Sequence, residues 1–254
     1  MMPRFDRLVL GVGLAHAILA VVCVGLLLVD ATPILGVHPA VKPLKFAVSL
    51  AAFLVTMAVL LPTLSISDEL RRLLAGALSL TTVVEMTVIA TQALRGRRSH
   101  FNTALPLDTA LTTTMLIGIA LLVLAMVAIT LLATARPLAQ PALLTAAWRA
   151  ALWLSLFAAV SGFAMGGRGR HTIGGDDGGP GMAITNWSTA HGDLRVSHFF
   201  ALHALQIIPL LAVIVLWLPL RATAQWTLLV LGIGANALLA GWTWIQALAS
   251  RPMW

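Results

Sequence analysis

The sequence predicts an all-α integral membrane protein: seven transmembrane helices, with one long glycine-rich loop between the fifth and sixth. Three observations carry this expectation. Hydrophobic residues make up 59% of the chain and charged residues only 10%, whereas soluble domains run near a quarter charged. Seven separate runs each approach the roughly 20 apolar residues that a spanning helix needs. The breaks between those runs hold most of the prolines and most of the charge.

The first run, 8–29, follows MMPRFDR and resembles a signal peptide. It is too long for a signal h-region and lacks a small-x-small cleavage site, so it is expected to be a membrane helix. Pro33, Pro39 and Pro43 hold the next connection open before the second run, 44–64. SISDELRR turns the chain into the third, 73–94, and RGRRSHFNTALPLD leads into the fourth, 109–134. TARPLAQP precedes the fifth, 141–165. The hydrophilic loop 166–195 is too short to be a domain, and it reads either as a lid over a site or as a solvated linker. PLRATAQ separates the sixth run, 196–220, from the seventh, 224–249, and the whole chain, 1–254, reads as one domain without an internal repeat. Trp148, Trp217 and Trp226 fall near one predicted membrane face, and Trp242, Trp244 and Trp254 near the other, as interface anchors do.

An odd number of spans puts the two termini on opposite faces. The face away from the N-terminus then collects HPAVKPLK, RGRRSHFNTALPLD and the glycine-rich loop, so nearly all unusual chemistry lies there. A plain count of Lys and Arg favours a cytoplasmic position for that face. If several of those cations serve a site, the count is a tie, and Arg4 and Arg7 ahead of the first helix favour a cytoplasmic N-terminus. The expected location is a bacterial inner membrane, with the lipid bilayer as partner. The net charge of +7 speaks to topology and anionic lipid, and no nucleic-acid motif is visible. Cys23 is the single cysteine, which excludes an intrachain disulfide or a thiolate metal cage.

Strongly polar residues inside hydrocarbon are costly and usually functional. Glu85 lies nine residues before Leu94, about 14 Å below the helix end at 1.5 Å per residue. Gln92 falls two turns above it on the same face, and Arg95 stays broadly on that side. The sixth run begins GDLRVSHFFALHALQIIP and carries a matching ladder of Arg195, His198, His203 and Gln206. Both ladders can face one wet interior, where Glu85 and Asp193 are candidate catalytic groups. Glu85 reads alternatively as a protonated residue gluing helices together.

The turn at Arg95–Asn102 crowds guanidinium groups that bind carboxylate or phosphate bidentately. Arg95, Arg98 and, from the sixth run, Arg195 are therefore candidate binders of a small anion, and Lys45, Gln92, Asn102, Asp108 and Gln206 are further candidate ligand-binding residues. The alternative is a basic interfacial turn against lipid headgroups, and snorkelling in the case of Lys45. His100, His198 and His203 are candidate ligands for a metal ion (Zn or Cu) or for haem b. His198 and His203 are five apart, which splays them on an ideal helix and makes two ligands from one helix to one ion difficult. His16 reads as a hydrogen-bonded core histidine.

The motifs KPLKF, the run from Glu85 to Asn102, DGGPG followed by WS, and GDLR followed by HF and LHALQ resemble a group of uncharacterised bacterial multi-pass membrane proteins. The resemblance covers roughly 40–210 and implies a bacterial inner-membrane protein with its motifs at one face. It implies no activity, cofactor or substrate. Three functions compete on the chemistry alone. The first is a metal- or haem-dependent membrane enzyme or redox protein, and the second a transporter or channel for a small anion or protons. The third is a seven-helix sensor without retinal, since the seventh run has no lysine for a Schiff base.

Overall fold

The computed structural model describes residues 5–253; Arg4 and Trp254, invoked above for orientation and anchoring, lie outside the described residues. The described chain is all-α apart from a short two-stranded ladder, and its seven helices are long and apolar enough to cross a membrane. It divides into two compact units, Met1–Ala139 and Gln140–Trp254.

The first unit holds α1 (Arg7–Leu26), α2 (Val41–Leu60), α3 (Asp68–Leu94) and α4 (Pro106–Ala135). Asp6 caps α1 by accepting from the Val9 amide at 3.1 Å, and its own amide donates to Ala58 O of α2 at 2.9 Å. α3 starts five residues before its apolar run, because Ser67 accepts from the Leu70 amide and Asp68 and Glu69 occupy the first turn. Acids there are favoured by the helix dipole although they add no hydrophobicity. α4 likewise opens early, at Pro106, where the missing N–H costs nothing. At one end of the unit Arg136 donates to Ser65 O and Ser65 to Pro137 O. The opposite end gathers the start of α2, the α3–α4 turn and the start of α4. Leu54, Met57, Leu60, Leu61, Leu78, Ile89 and Ile129 are fully buried between these helices.

The second unit holds α5 (Ala142–Arg168), α6 (Leu194–Trp217) and α7 (Ala222–Leu248), with α6 packed against both others. α5 runs beyond its predicted end through Gly166 and Gly167, and Gly169 closes it with φ 63°. The loop that follows is pinned at its base: β1 (Thr172–Ile173) pairs antiparallel with β2 (Gly192–Asp193), Thr172 opposite Asp193. Gly192 is required here, since a Cβ would lie 2.1 Å from Ala247 O of α7. Ser197 donates to Ala240 O at 2.8 Å and fixes α6 to α7. One expected anchor is corrected. Trp148 is 4% exposed, packed into the unit by the apolar face of α5, whereas Trp217 and Trp242 are exposed on its surface.

Candidate functional site

Lys42, in the first turn of α2, and His100, in the α3–α4 turn, meet although 58 residues apart: Lys42 Nζ lies 3.1 Å from His100 Nδ1. On the other side of the ring, His100 Nε2 is 3.5 Å from Glu85 Oε1. The ring is wedged against Phe46 of α2 at 5.5 Å between centroids and edge-on to Phe101 at 5.9 Å. Phe101 adopts φ 57°, a left-handed conformation that turns the chain back toward the helices. The reversal that brings His100 back toward α3 lies earlier, at Gly96 with φ 65°, where the Arg97 amide donates to Gln92 O at 2.9 Å. Glu85 is 13% exposed, and its Oε2 is buried without a hydrogen bond. An ammonium only donates, so Lys42 assigns the lone pair to Nδ1 and the proton to Nε2, which then faces the carboxylate. Ser99 Oγ lies 3.2 Å from the same Nδ1. The three groups form a line in which a proton can pass from ammonium to imidazole to carboxylate.

A second network closes the same turn. Asp108, fully buried at the start of α4, accepts from Gln92 Nε2 at 3.0 Å, Arg95 at 2.7 Å and Arg97 at 3.2 Å. Gln92, also fully buried, donates in addition to Arg98 O and accepts from Arg95 at 2.5 Å. Asn102 donates to Arg98 O and accepts from the Ala104 amide, which shapes the turn. Two of the three arginines are thus held by the protein's own acid, and Arg97, not singled out in the sequence, is one of them. The signal for it was already present as Arg97 two residues past Arg95 with Asp108 eleven further on; what the sequence lacks is the fold-back that brings them together. Arg98 forms no ion pair among the described residues, and Lys45 sits half-buried one turn along α2 from Lys42.

In the second unit Asp193 is the N-cap of α6. It accepts from the Arg195 amide at 3.0 Å, the Arg195 guanidinium at 2.6 and 2.9 Å, and the Ser188 amide at 2.9 Å. Burial pushes its carboxyl up, but Arg195, the Ser188 amide and His171 together outweigh burial and hold it below the usual carboxylate range. His171 Nδ1 stands 3.2 Å from Asp177 and 3.7 Å from Asp193, and Asp177 also takes the Thr172 amide at 3.0 Å. These acids hold the loop together by their own hydrogen bonds.

His198 Nδ1 lies 2.8 Å from Ala158 O of α5 and 3.0 Å from Ser161 Oγ. A carbonyl only accepts, so Nδ1 carries the proton and Nε2 keeps its lone pair. Gly162 leaves room for the ring, since its Cβ would lie 3.5 Å from His198 Cε1. His203 Nδ1 faces Gln206 Oε1 at 3.1 Å, with its ring tilted against Phe199 at 4.3 Å between centroids. The two histidines therefore turn to different partners, as their spacing requires. His16 bonds Val12 O at 2.8 Å and is buried, as a core histidine. Among the described residues no group of three or more His, Cys, Asp or Glu is arranged to hold a metal ion.

The site residues expected from the sequence thus divide between the units: Lys45, Glu85, Gln92, Arg95, Arg98, His100, Asn102 and Asp108 in the first, Asp193, Arg195, His198, His203 and Gln206 in the second. The fold and composition define a multi-pass helical membrane protein. Compared with known protein families, curated proteins and solved structures, the chain matches none.

Proposed function

We propose that this chain is a bacterial inner-membrane protein that moves protons between one membrane face and the interior of its first unit, with Glu85 as the working acid. The observation that carries this reading is the line Lys42–His100–Glu85, which ends on a carboxylate oxygen buried without a partner. A buried acid beside an imidazole is the arrangement that proton relays in membranes use. Arg95 and Arg97 are turned inward onto Asp108, which favours protons over an anion as the cargo of this turn. The motif resemblance supports a bacterial origin, and Arg7 ahead of α1 supports a cytoplasmic N-terminus. Purified protein in liposomes loaded with a pH-sensitive dye tests the reading under an imposed potential. Wild type is expected to pass protons and Glu85→Gln to lose this; equal flux in both, above that of empty liposomes, contradicts it.

A second reading has support of its own. His198 and His203 each place Nδ1 against an oxygen, which leaves Nε2 as the available lone pair. Ligating histidines are commonly held this way by a carbonyl behind the ring. On this reading one of them binds Zn, Cu or haem b, and the protein is a membrane redox protein or enzyme. An absorption spectrum and elemental analysis beside His198→Ala and His203→Ala test it. A Soret band or near-stoichiometric metal lost in one variant supports it, and a spectrum and metal content unchanged by both variants contradict it.

A further inference from the structure

We propose that the hairpin Gly181–Ser188 is a membrane-dipping element whose tip, Ala183–Ile184, sits in the bilayer interface. The hairpin is a built structure. Met182 N donates to Trp187 O and Asn186 N to Met182 O, both at 2.9 Å, and Gly181 bridges Ser188. Gly181 admits this closure because a Cβ there would lie 2.4 Å from Asn186 Oδ1. Its base is tied to the start of α6: Asp193 takes the Ser188 amide and Arg195 donates to Asn186 O. The ion pair of Asp193 and Arg195 therefore aims the tip.

The tip is apolar and bare. Ile184 is 82% exposed, at the end of the glycine- and acid-rich stretch GGDDGGPG and the turn that follows it. Three residues on, Trp187 packs against Phe199 at 5.4 Å and Phe200 at 6.2 Å. Those rings lie in the second turn of α6, and Phe199 is 40% exposed. α6 has 24 residues, about 36 Å at 1.5 Å per residue against about 30 Å of hydrocarbon. The excess of about 6 Å is roughly one turn, so a helix whose charged first turn, with Asp193 and Arg195, stands among headgroups carries Phe199 close to the hydrocarbon edge. Trp187, packed on Phe199, then lies at the depth where membrane aromatic belts form, three residues from the exposed Ile184. The occupant of this surface is lipid.

The test uses single-cysteine proteins in a Cys23→Ala background, labelled with a polarity-sensitive fluorophore. They are reconstituted in vesicles of phosphatidylethanolamine and phosphatidylglycerol, with and without lipid brominated near the carbonyl end of its chains. Asp176, 99% exposed, supplies the water-facing reference as Asp176→Cys. The label at Ile184→Cys is expected to be blue-shifted, quenched by brominated lipid and several-fold less accessible to iodide than the reference. Iodide quenching equal to the reference overturns the proposal. So does shielding from both quenchers, which would place the tip against protein. Each labelled protein is first checked for an unchanged melting temperature, and Ile184→Ser, which leaves the hairpin bonds intact, is expected to weaken lipid protection of the neighbouring Trp187 belt from iodide.

Discussion

His100 stands between a cation and an acid: its Nδ1 is 3.1 Å from Lys42 Nζ, and its Nε2 is 3.5 Å from Glu85 Oε1. Each contact fixes the role of the other, because the ammonium demands a lone pair and so leaves Nε2–H for the carboxylate. Replacing His100 with Gln preserves a hydrogen-bonding side chain and removes the through-ring transfer. Proton flux in liposomes is expected to fall by on the order of 100-fold, the low end of what positioned acid–base groups contribute. A His100→Gln protein with wild-type flux would show that the ring only packs against Phe46.

Asp108 serves the fold of the same turn. Asp108→Ala removes the acceptor that Gln92, Arg95 and Arg97 share, and a lower melting temperature is expected. Arg97 contributes less, since it is 39% exposed and its pair is screened. Cys23, buried and alone, allows a thiol-reactive dye to report unfolding of the first unit directly. A melting temperature within error of wild type would contradict this role.

Asp193 gives the second unit a pH dependence. Its carboxyl is held below the ordinary range in the folded protein, so the unfolded chain takes up its proton more readily. Its stabilisation is therefore complete above the unfolded value, about 3.9 for Asp, and is lost as pH falls through the lower folded value. Melting curves of wild type and Asp193→Asn are expected to differ at neutral pH and to converge below about pH 4. A gap that stays constant across that range would show that the charge is not what stabilises.

Gly192→Ala is expected to be among the most damaging small substitutions. Its Cβ would press on the Ala247 backbone, which cannot rotate away as a side chain can, and overpacking of this kind costs about 1–3 kcal/mol. Gly166→Ala, where a Cβ meets nothing within 4 Å, serves as the control and is expected to leave thermal stability unchanged in detergent.

The seven helices were legible because hydrocarbon thickness and proline breaks both write themselves into sequence. The helix starts at Asp68 and Pro106 were missed for a physical reason: caps and first-turn acids stabilise a helix without being apolar. Glu85 was visible as an intramembrane acid, and its spacing to Gln92 suggested one shared ladder. The fold separates them, with Glu85 meeting His100 and Gln92 meeting Asp108. A helical wheel records which side a residue faces and cannot show which loop folds down onto it. The same limit hid Asp177, whose role depends on the β1–β2 ladder, and Trp148, whose burial follows from packing within its unit.

On the proton-relay reading, Glu85 exchanges its proton through His100. Infrared spectra of the reconstituted protein, titrated in pH and compared with Glu85→Gln, test this exchange. The expected result is a carboxylic-acid carbonyl band that titrates in wild type, vanishes in Glu85→Gln and titrates far more slowly in His100→Gln. A spectrum in which no titrating carboxyl band is lost in Glu85→Gln would contradict a proton-exchanging Glu85.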